Sequence, residues 1–172
     1  LLAQNLAEAK KQEVQKYLYT NARKLFYSKN DGTLGNPSGK TSILILNDYR
    51  CGFCSKARTI VSDVAKNNPD VRVVIKQLPI LGPESKYAAK AATLAQQKNR
   101  FDSFDTKLMG QEKPLTIEKI NAVLRQRGLK EKELSSQNDT LDAVIRENYV
   151  HAQNLAVQGS PVIIIANSNL TK

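Results

Sequence analysis

The sequence predicts an α/β domain with an inserted helical domain and an N-terminal helical extension, on three observations. Two apolar, strand-length runs, "TSILILN" (41–47) and "VRVVIKQL" (71–78), flank a stretch with helical spacing. A third apolar run, "PVIIIAN" (161–167), comes only after residues 83–158, which read as helix nearly throughout. The first 27 residues contain neither Gly nor Pro.

Taken in order, Leu1 to about Tyr27 reads as one long helix rich in Ala, Leu, Gln, Lys and Glu, all good helix formers. Val14, Leu18, Ala22 and Leu25 recur at helical spacing and make one apolar stripe. Leu2, Leu6 and Ala9 start a weaker one. Such a helix either packs on its own domain or serves as an oligomerisation arm, because its other faces are strongly polar. "SKNDGTLGNPSGK" (28–40) is dense in turn residues and reads as loop. Thr41 to Asn47 is continuously apolar, as in a strand buried on both faces. "SKARTIVSDVAKNN" then places Ala57, Ile60, Val61, Val64 and Ala65 on a helix face, and Pro69 ends it. The β-branched run from Val71 completes a βαβ unit with a parallel strand pair.

Helices are expected over 84–97, 101–109, 116–128, 130–136 and 140–158. Thr116 is a natural N-cap, with Lys119 in place of an acid at the capping-box position. Gly159 suits the position just past a helix end, and Pro161 follows as a stop before a third buried strand. The expected division is an arm at 1–29, a core made of 30–82 and 159–172, and a helical domain at 83–158.

Composition excludes several function classes. Hydrophobic residues make up 41% of the 172, which suits a folded domain. No apolar run approaches the roughly 20 residues that cross a bilayer as helix. The chain opens abruptly in helix-like sequence, so an export signal is expected to have been removed. The net charge of +10 is spread among acids and amides along helices, without a block of like charge. With no Trp, six Tyr and four Phe, stacking platforms for bases are few, so no nucleic-acid partner is expected.

The chemistry concentrates in "NDYRCGFCSKA" (47–57), which holds both cysteines, Cys51 and Cys54. Cys51 follows a buried strand and opens a helix, where free backbone N–H groups and the positive end of the helix dipole favour a thiolate. Cys54, one turn in, is expected to be more buried and to act as the resolving thiol. A zinc site needs four ligands, and the chain adds only one histidine, His151, far away on a helix, where it reads as a surface or interhelical residue. A purely structural disulfide would close a very short loop and stabilise little. Cys-x-x-Cys beside a βαβ unit is the pattern of a thioredoxin-like redox site. "GSPV" (159–162) by itself is a helix stop with an ordinary trans peptide before Pro161; it gains weight beside the cysteine motif.

"DYRCGFC", "VRVVIKQLPILGPES" and "QGSPVIII", in that order, resemble the DsbA-like thiol-disulfide oxidoreductases of bacterial envelopes, nearest to the ScsC and Com1-like branch. The resemblance covers most of Asn30 to Asn169. It implies a thioredoxin fold interrupted by a helical domain, and location in the periplasm or cell envelope. It makes Cys51 the nucleophile and Cys54 the resolving cysteine, with Gly52 and Phe53 tuning the redox potential. It makes Pro161 a cis-proline beside the thiols, with Ser160 offering backbone hydrogen bonds to an extended substrate. It implies no cofactor and no metal. As partners it implies unfolded or misoxidised secreted proteins, a membrane redox partner, and further copies of this chain held through residues 1–27, an arrangement that favours disulfide isomerisation.

Three departures stand out. Ile45 occupies the position, six residues before the first cysteine, where relatives often carry a Glu. Gln77 follows Lys76 where Lys-Glu is common, so Lys76 or a water is left as proton carrier. A last strand and helix usually follow the proline strand, so this chain is expected to be part of a longer one. The dipeptide also lacks a histidine, which predicts a milder oxidant than DsbA's roughly −120 mV. Competing readings are a monomeric dithiol oxidase and a non-enzymatic thioredoxin-fold binding or chaperone module.

Overall fold

The computed structural model describes residues 1–169. Its elements are α1 (Leu2–Thr20), α2 (Ala22–Phe26), β1 (Gly32–Gly35), β2 (Thr41–Asn47), α3 (Gly52–Asn67), β3 (Val71–Gln77), α4 (Pro83–Gln97), α5 (Phe101–Met109), α6 (Ile117–Gln126), α7 (Glu131–Ser136), α8 (Asn138–Asn154) and β4 (Val162–Asn167). The sheet order is β1-β3-β2-β4. As the βαβ pattern predicts, β2 and β3 are parallel, with Thr41 opposite Val71 and Asn47 opposite Gln77. β1 runs antiparallel to β3, and β4 antiparallel to β2.

The alternation of side chains across β2 and β3 splits the core in two. Ile43, Ile45, Val73 and Ile75 face α3 and the inserted helices, packing with Ala57, Val61, Ala92, Leu94 and Phe104. Leu44 and Val74 face the other way, onto Leu25 and Phe26 of α2 and Leu155 just past α8. Both faces of the central pair are covered, which is why these strands read as unbroken apolar runs.

Four expectations need correction. The first 27 residues form two helices, broken at Asn21, whose backbone N–H (2.9 Å) and side-chain amide (3.1 Å) both donate to the Tyr17 carbonyl. The predicted stripe docks on the chain's own sheet: Val14 and Leu18 are partly buried, Ala22 and Leu25 fully, while residues 1–13 are all exposed. The stretch 28–40 is not all loop, because β1 lies inside it. β1 has no pattern of its own and is defined by pairing with β3; Gly32 packs so tightly on Phe101 that a Cβ would sit 2.1 Å from the ring.

α8 ends at Asn154, four residues before the expected 158. Ala156, at φ +55°, takes the left-handed role assigned to Gly159: its N–H bonds the Gln153 carbonyl (3.0 Å), and the Val157 N–H bonds that of Ala152 (2.9 Å), closing a Schellman cap. Finally, among the described residues β4 stands at the edge of the sheet, where a buried strand is expected. Ile164 and Ala166 pack inward, but Ile163 and Ile165 are 44% and 68% exposed, with no described residue covering their face. An apolar run shows that a strand can be buried; the neighbours decide whether it is. Residues 170–172, the end of the expected core segment 159–172, lie outside the described residues.

Candidate active site

β2 delivers the chain to the site, and Asp48 shapes the turn that follows. Its buried carboxylate accepts four hydrogen bonds: from the Arg50 N–H (2.8 Å) and the Ser85 hydroxyl (2.7 Å) on one oxygen, and from the Ile80 (2.8 Å) and Leu81 (3.0 Å) N–H groups on the other. The Asp48 carbonyl receives the Cys51 N–H at 3.1 Å. Arg50 adds bonds to the Leu81 carbonyl and to Glu84, both at 2.8 Å. The turn before Cys51 is thereby strapped to the loop after β3 and to the start of α4.

Cys51 is the N-cap of α3, and its sulfur accepts the Cys54 N–H at 3.2 Å. This satisfies one of the free N–H groups at the helix start and sets the sulfur at the positive end of the dipole. Cys51 is 8% exposed and Cys54 not at all, and both are free thiols. Burial, and next the hydrogen bond with Cys51, push the Cys54 thiol up to about 12; the Ser160 side chain and the Asp48 backbone pull against them. The Ser160–Pro161 peptide is cis, as the resemblance implies, and the Cys51 Sγ lies 3.6 Å from the Ser160 carbonyl. Ser160 and Pro161, remote in sequence, are therefore brought to the thiols. Gly52 and Phe53 are exposed on the first turn of α3, Phe53 at 73%, with the Lys56 Nζ 5.9 Å from its ring centroid.

Lys76 is not brought there. It shares the side of β3 that carries Val74, away from α3, and its amine is buried against Asp31 at 2.6 Å. Burial pushes the Asp31 carboxyl up to about 6 against the pull of Lys76. Ile45, at the position of the missing acid, is a fully buried core residue. Gln77 lies on the α3 side, its amide 3.4 Å from the Tyr49 hydroxyl. His151 is buried and interhelical, its Nδ1 2.8 Å from the Tyr17 hydroxyl of α1.

Sequence reading missed a polar network under the turn. The Tyr49 hydroxyl donates to Asp105 at 2.8 Å, and Arg58 of α3 forms an ion pair with the same carboxylate. Burial raises the Asp105 carboxyl, with Arg58 opposing. It also missed Lys113, whose amine meets the Tyr49 carbonyl at 2.5 Å from the loop between α5 and α6. Neither carried a local signal, since each is one of many charged residues on helices and loops. A hollow of about 260 Å³, lined by Leu78, Ile80, Tyr149, Ala152, Val157 and Gly159, opens beside the proline turn. A larger one of about 460 Å³, between α3 and α5, is lined by neither cysteine. Among the described residues, no group of three or more His, Cys, Asp or Glu is placed to hold a metal ion.

A family model described as thioredoxin matches residues 27–172. Among solved structures, a thioredoxin-like oxidoreductase from Silicibacter pomeroyi DSS-3 is 28% identical with a TM-score of 0.77, over 87% of this chain and 92% of that one. A periplasmic thioredoxin-like protein from Salmonella enterica serovar Typhimurium is also 28% identical, with a TM-score of 0.73 over 86% and 83%. The catalytic domain of Proteus mirabilis ScsC shares the fold at a TM-score of 0.81 and 22% identity, over 88% and 85%. No curated protein matches the chain.

Proposed function

The chain belongs to the thioredoxin family, and from that premise we propose that it is a thiol-disulfide oxidoreductase acting on protein disulfides in the bacterial cell envelope. The observation that carries this reading is the paired thiols at the start of α3, Cys51 against the Ser160 carbonyl and Cys54 buried behind it. Cys51 as thiolate attacks one sulfur of a substrate disulfide; that S–S bond breaks, and the departing substrate sulfur takes up a proton. Cys54 then loses its proton and attacks the mixed disulfide. The second substrate thiol leaves, and a Cys51–Cys54 disulfide remains, two electrons having passed to the substrate. The steps run backwards when the protein oxidises a dithiol. The raised Cys54 keeps the second thiol protonated until the mixed disulfide forms, so Cys51 makes the first attack.

Ser160 offers its backbone to the substrate beside Pro161, and Gly52 and Phe53 tune the potential. Isomerase capability through oligomerisation is the finer reading. Residues 1–13 are wholly exposed and present Leu2 and Leu6 on one side of α1, which suits association of copies through this segment. The partners are then misoxidised secreted proteins and a membrane redox protein, and residues 83–158 act as the helical domain that frames the thiols.

Refolding of a scrambled-disulfide protein tests this, comparing the full chain, Cys51→Ser, and a chain starting at residue 14. The reading expects recovery of native substrate by the full chain, none by Cys51→Ser, and both a smaller oligomer and slower isomerisation after truncation. Equal activity of Cys51→Ser overturns catalysis in favour of a binding module. Unchanged oligomeric state and rate on truncation overturn the arm and leave a monomeric oxidase.

A further inference from the structure

The loop between α5 and α6 is pinned by hydrogen bonds from Lys119 and by the buried Leu115. The Lys119 ammonium donates to the carbonyls of Glu112 (2.6 Å) and Pro114 (2.9 Å), Leu115 is buried, and Thr116 caps α6 through the Lys119 N–H (3.3 Å). This clamp presents one more cation, Lys113, to the turn that leads into the thiols, where its ammonium bonds the carbonyl of Tyr49, two residues before Cys51. The acceptor is fixed as well, because the Tyr49 ring is buried and its hydroxyl is held by Asp105. The contact spans 64 residues and joins the inserted helices to the reactive turn.

We propose that Lys113 is a positioning residue for the exchange reaction: fixed on the Tyr49 carbonyl, its ammonium stabilises the Cys51 thiolate. An ammonium fixed near a thiol favours the charged form. Burial lowers the Lys113 amine, while the negative charges of Asp48 and of a Cys51 thiolate favour its charged form, and Lys119 and Arg50 oppose it. Of the two anions, Asp48 is already saturated by four hydrogen bonds. The thiolate appears and disappears in each cycle, so it is the state that Lys113 shifts. The charged group nearest Cys51 in sequence, Arg50, is committed to Glu84 and Leu81.

The inference rests on Cys51 being the attacking thiol, and the test separates the two ideas. Lys113→Met keeps the aliphatic stem and removes the charge; Lys113→Arg keeps the charge. Alkylation of Cys51 by iodoacetamide at neutral pH reports the thiolate without requiring any exchange activity. Equilibration with reduced and oxidised glutathione reports redox poise. Lys113→Met is expected to slow alkylation about tenfold and to shift the equilibrium about tenfold toward the protein disulfide, near 30 mV more reducing. Lys113→Arg is expected to recover most of both, and added salt to narrow the gap between wild type and Lys113→Met. A Lys113→Met protein that alkylates and equilibrates within about twofold of wild type overturns the proposal, whether or not its thermal stability falls. Fast alkylation of wild-type Cys51 without exchange with glutathione overturns the oxidoreductase reading; the alkylation ratio still decides Lys113.

Discussion

On the α3 face of the sheet, the buried carboxylate of Asp105 takes the Tyr49 hydroxyl and the Arg58 guanidinium; on the opposite face, Lys76 holds Asp31, and His151 meets Tyr17 of α1. Both faces bury charge, but to different ends. The first network ties the reactive turn, through Tyr49, to Asp105 of α5 and Arg58 of α3. The second lies where α1 and α2 join the domain, and among the described residues its side chains pair with one another and not with either cysteine. The difference separates groups that shape the redox site from groups that fasten the N-terminal helices, and it reassigns Lys76 from the first set to the second.

The comparison is broken most severely at the thiols themselves. Cys51→Ser should lower exchange roughly a thousandfold or more, as loss of a covalent nucleophile does. Cys54→Ser should instead accumulate mixed disulfides with substrate, visible by mass spectrometry. Neither change should disturb the Asp31–Lys76 face, which urea unfolding of the reduced variants checks.

Next in size is the α3 network. Arg58→Met strands the Asp105 carboxyl in the core without its cation and should cost about 3–5 kcal/mol, read from the unfolding midpoint. Pairing it with Asp105→Leu should recover only part of that loss, because no buried charge is then unmatched but the Tyr49 hydroxyl loses its acceptor.

The opposite face should show itself through acid. Asp31 is raised from 3.8 to about 6. Between those values the folded chain holds a proton that the unfolded chain lacks, so acidification stabilises and rising pH removes the effect. His151 is lowered from 6.5 to about 4, chiefly by burial, with Lys76 and Lys24 lowering it further and Glu147 opposing. Between those values the unfolded chain holds the extra proton, so acidification destabilises. The two effects offset each other in the wild type. Asp31→Asn should unmask the histidine and lose about 2–3 kcal/mol on going from pH ~6.5 to ~4, while His151→Gln should show the reverse slope. Unfolding midpoints across that range check both. The smallest effect is expected from Tyr17→Phe, about 1 kcal/mol for one lost hydrogen bond, with easier proteolysis of α1 as a second readout.

Legibility followed the range of the physics involved. Strands β2 and β3 and helix α3 were readable because burial imposes a period on consecutive residues. β1 was not, because four residues around two glycines carry no period and exist as a strand only opposite β3. Ala156 could not be anticipated at a left-handed position that glycine usually takes; the end of α8 is set by packing of Leu155 against the second core. The cysteine pair and the proline turn were both visible, each weak alone. Their approach to 3.6 Å required the sheet that sets β4 beside β2.

The sequence by itself determined the α/β class, the parallel βαβ unit, the long helical insertion and the two thiols at a helix start. These depend on side-chain periodicity and on residues within a turn of one another. Tertiary contacts alone decide that the stripe from Val14 to Leu25 docks on the chain's own sheet, that β4 lies beside β2, that Lys76 serves Asp31, and that Lys113 reaches Tyr49. Each of these is a contact between segments far apart in the chain, and its energy comes from which groups the fold desolvates together. No local pattern encodes that.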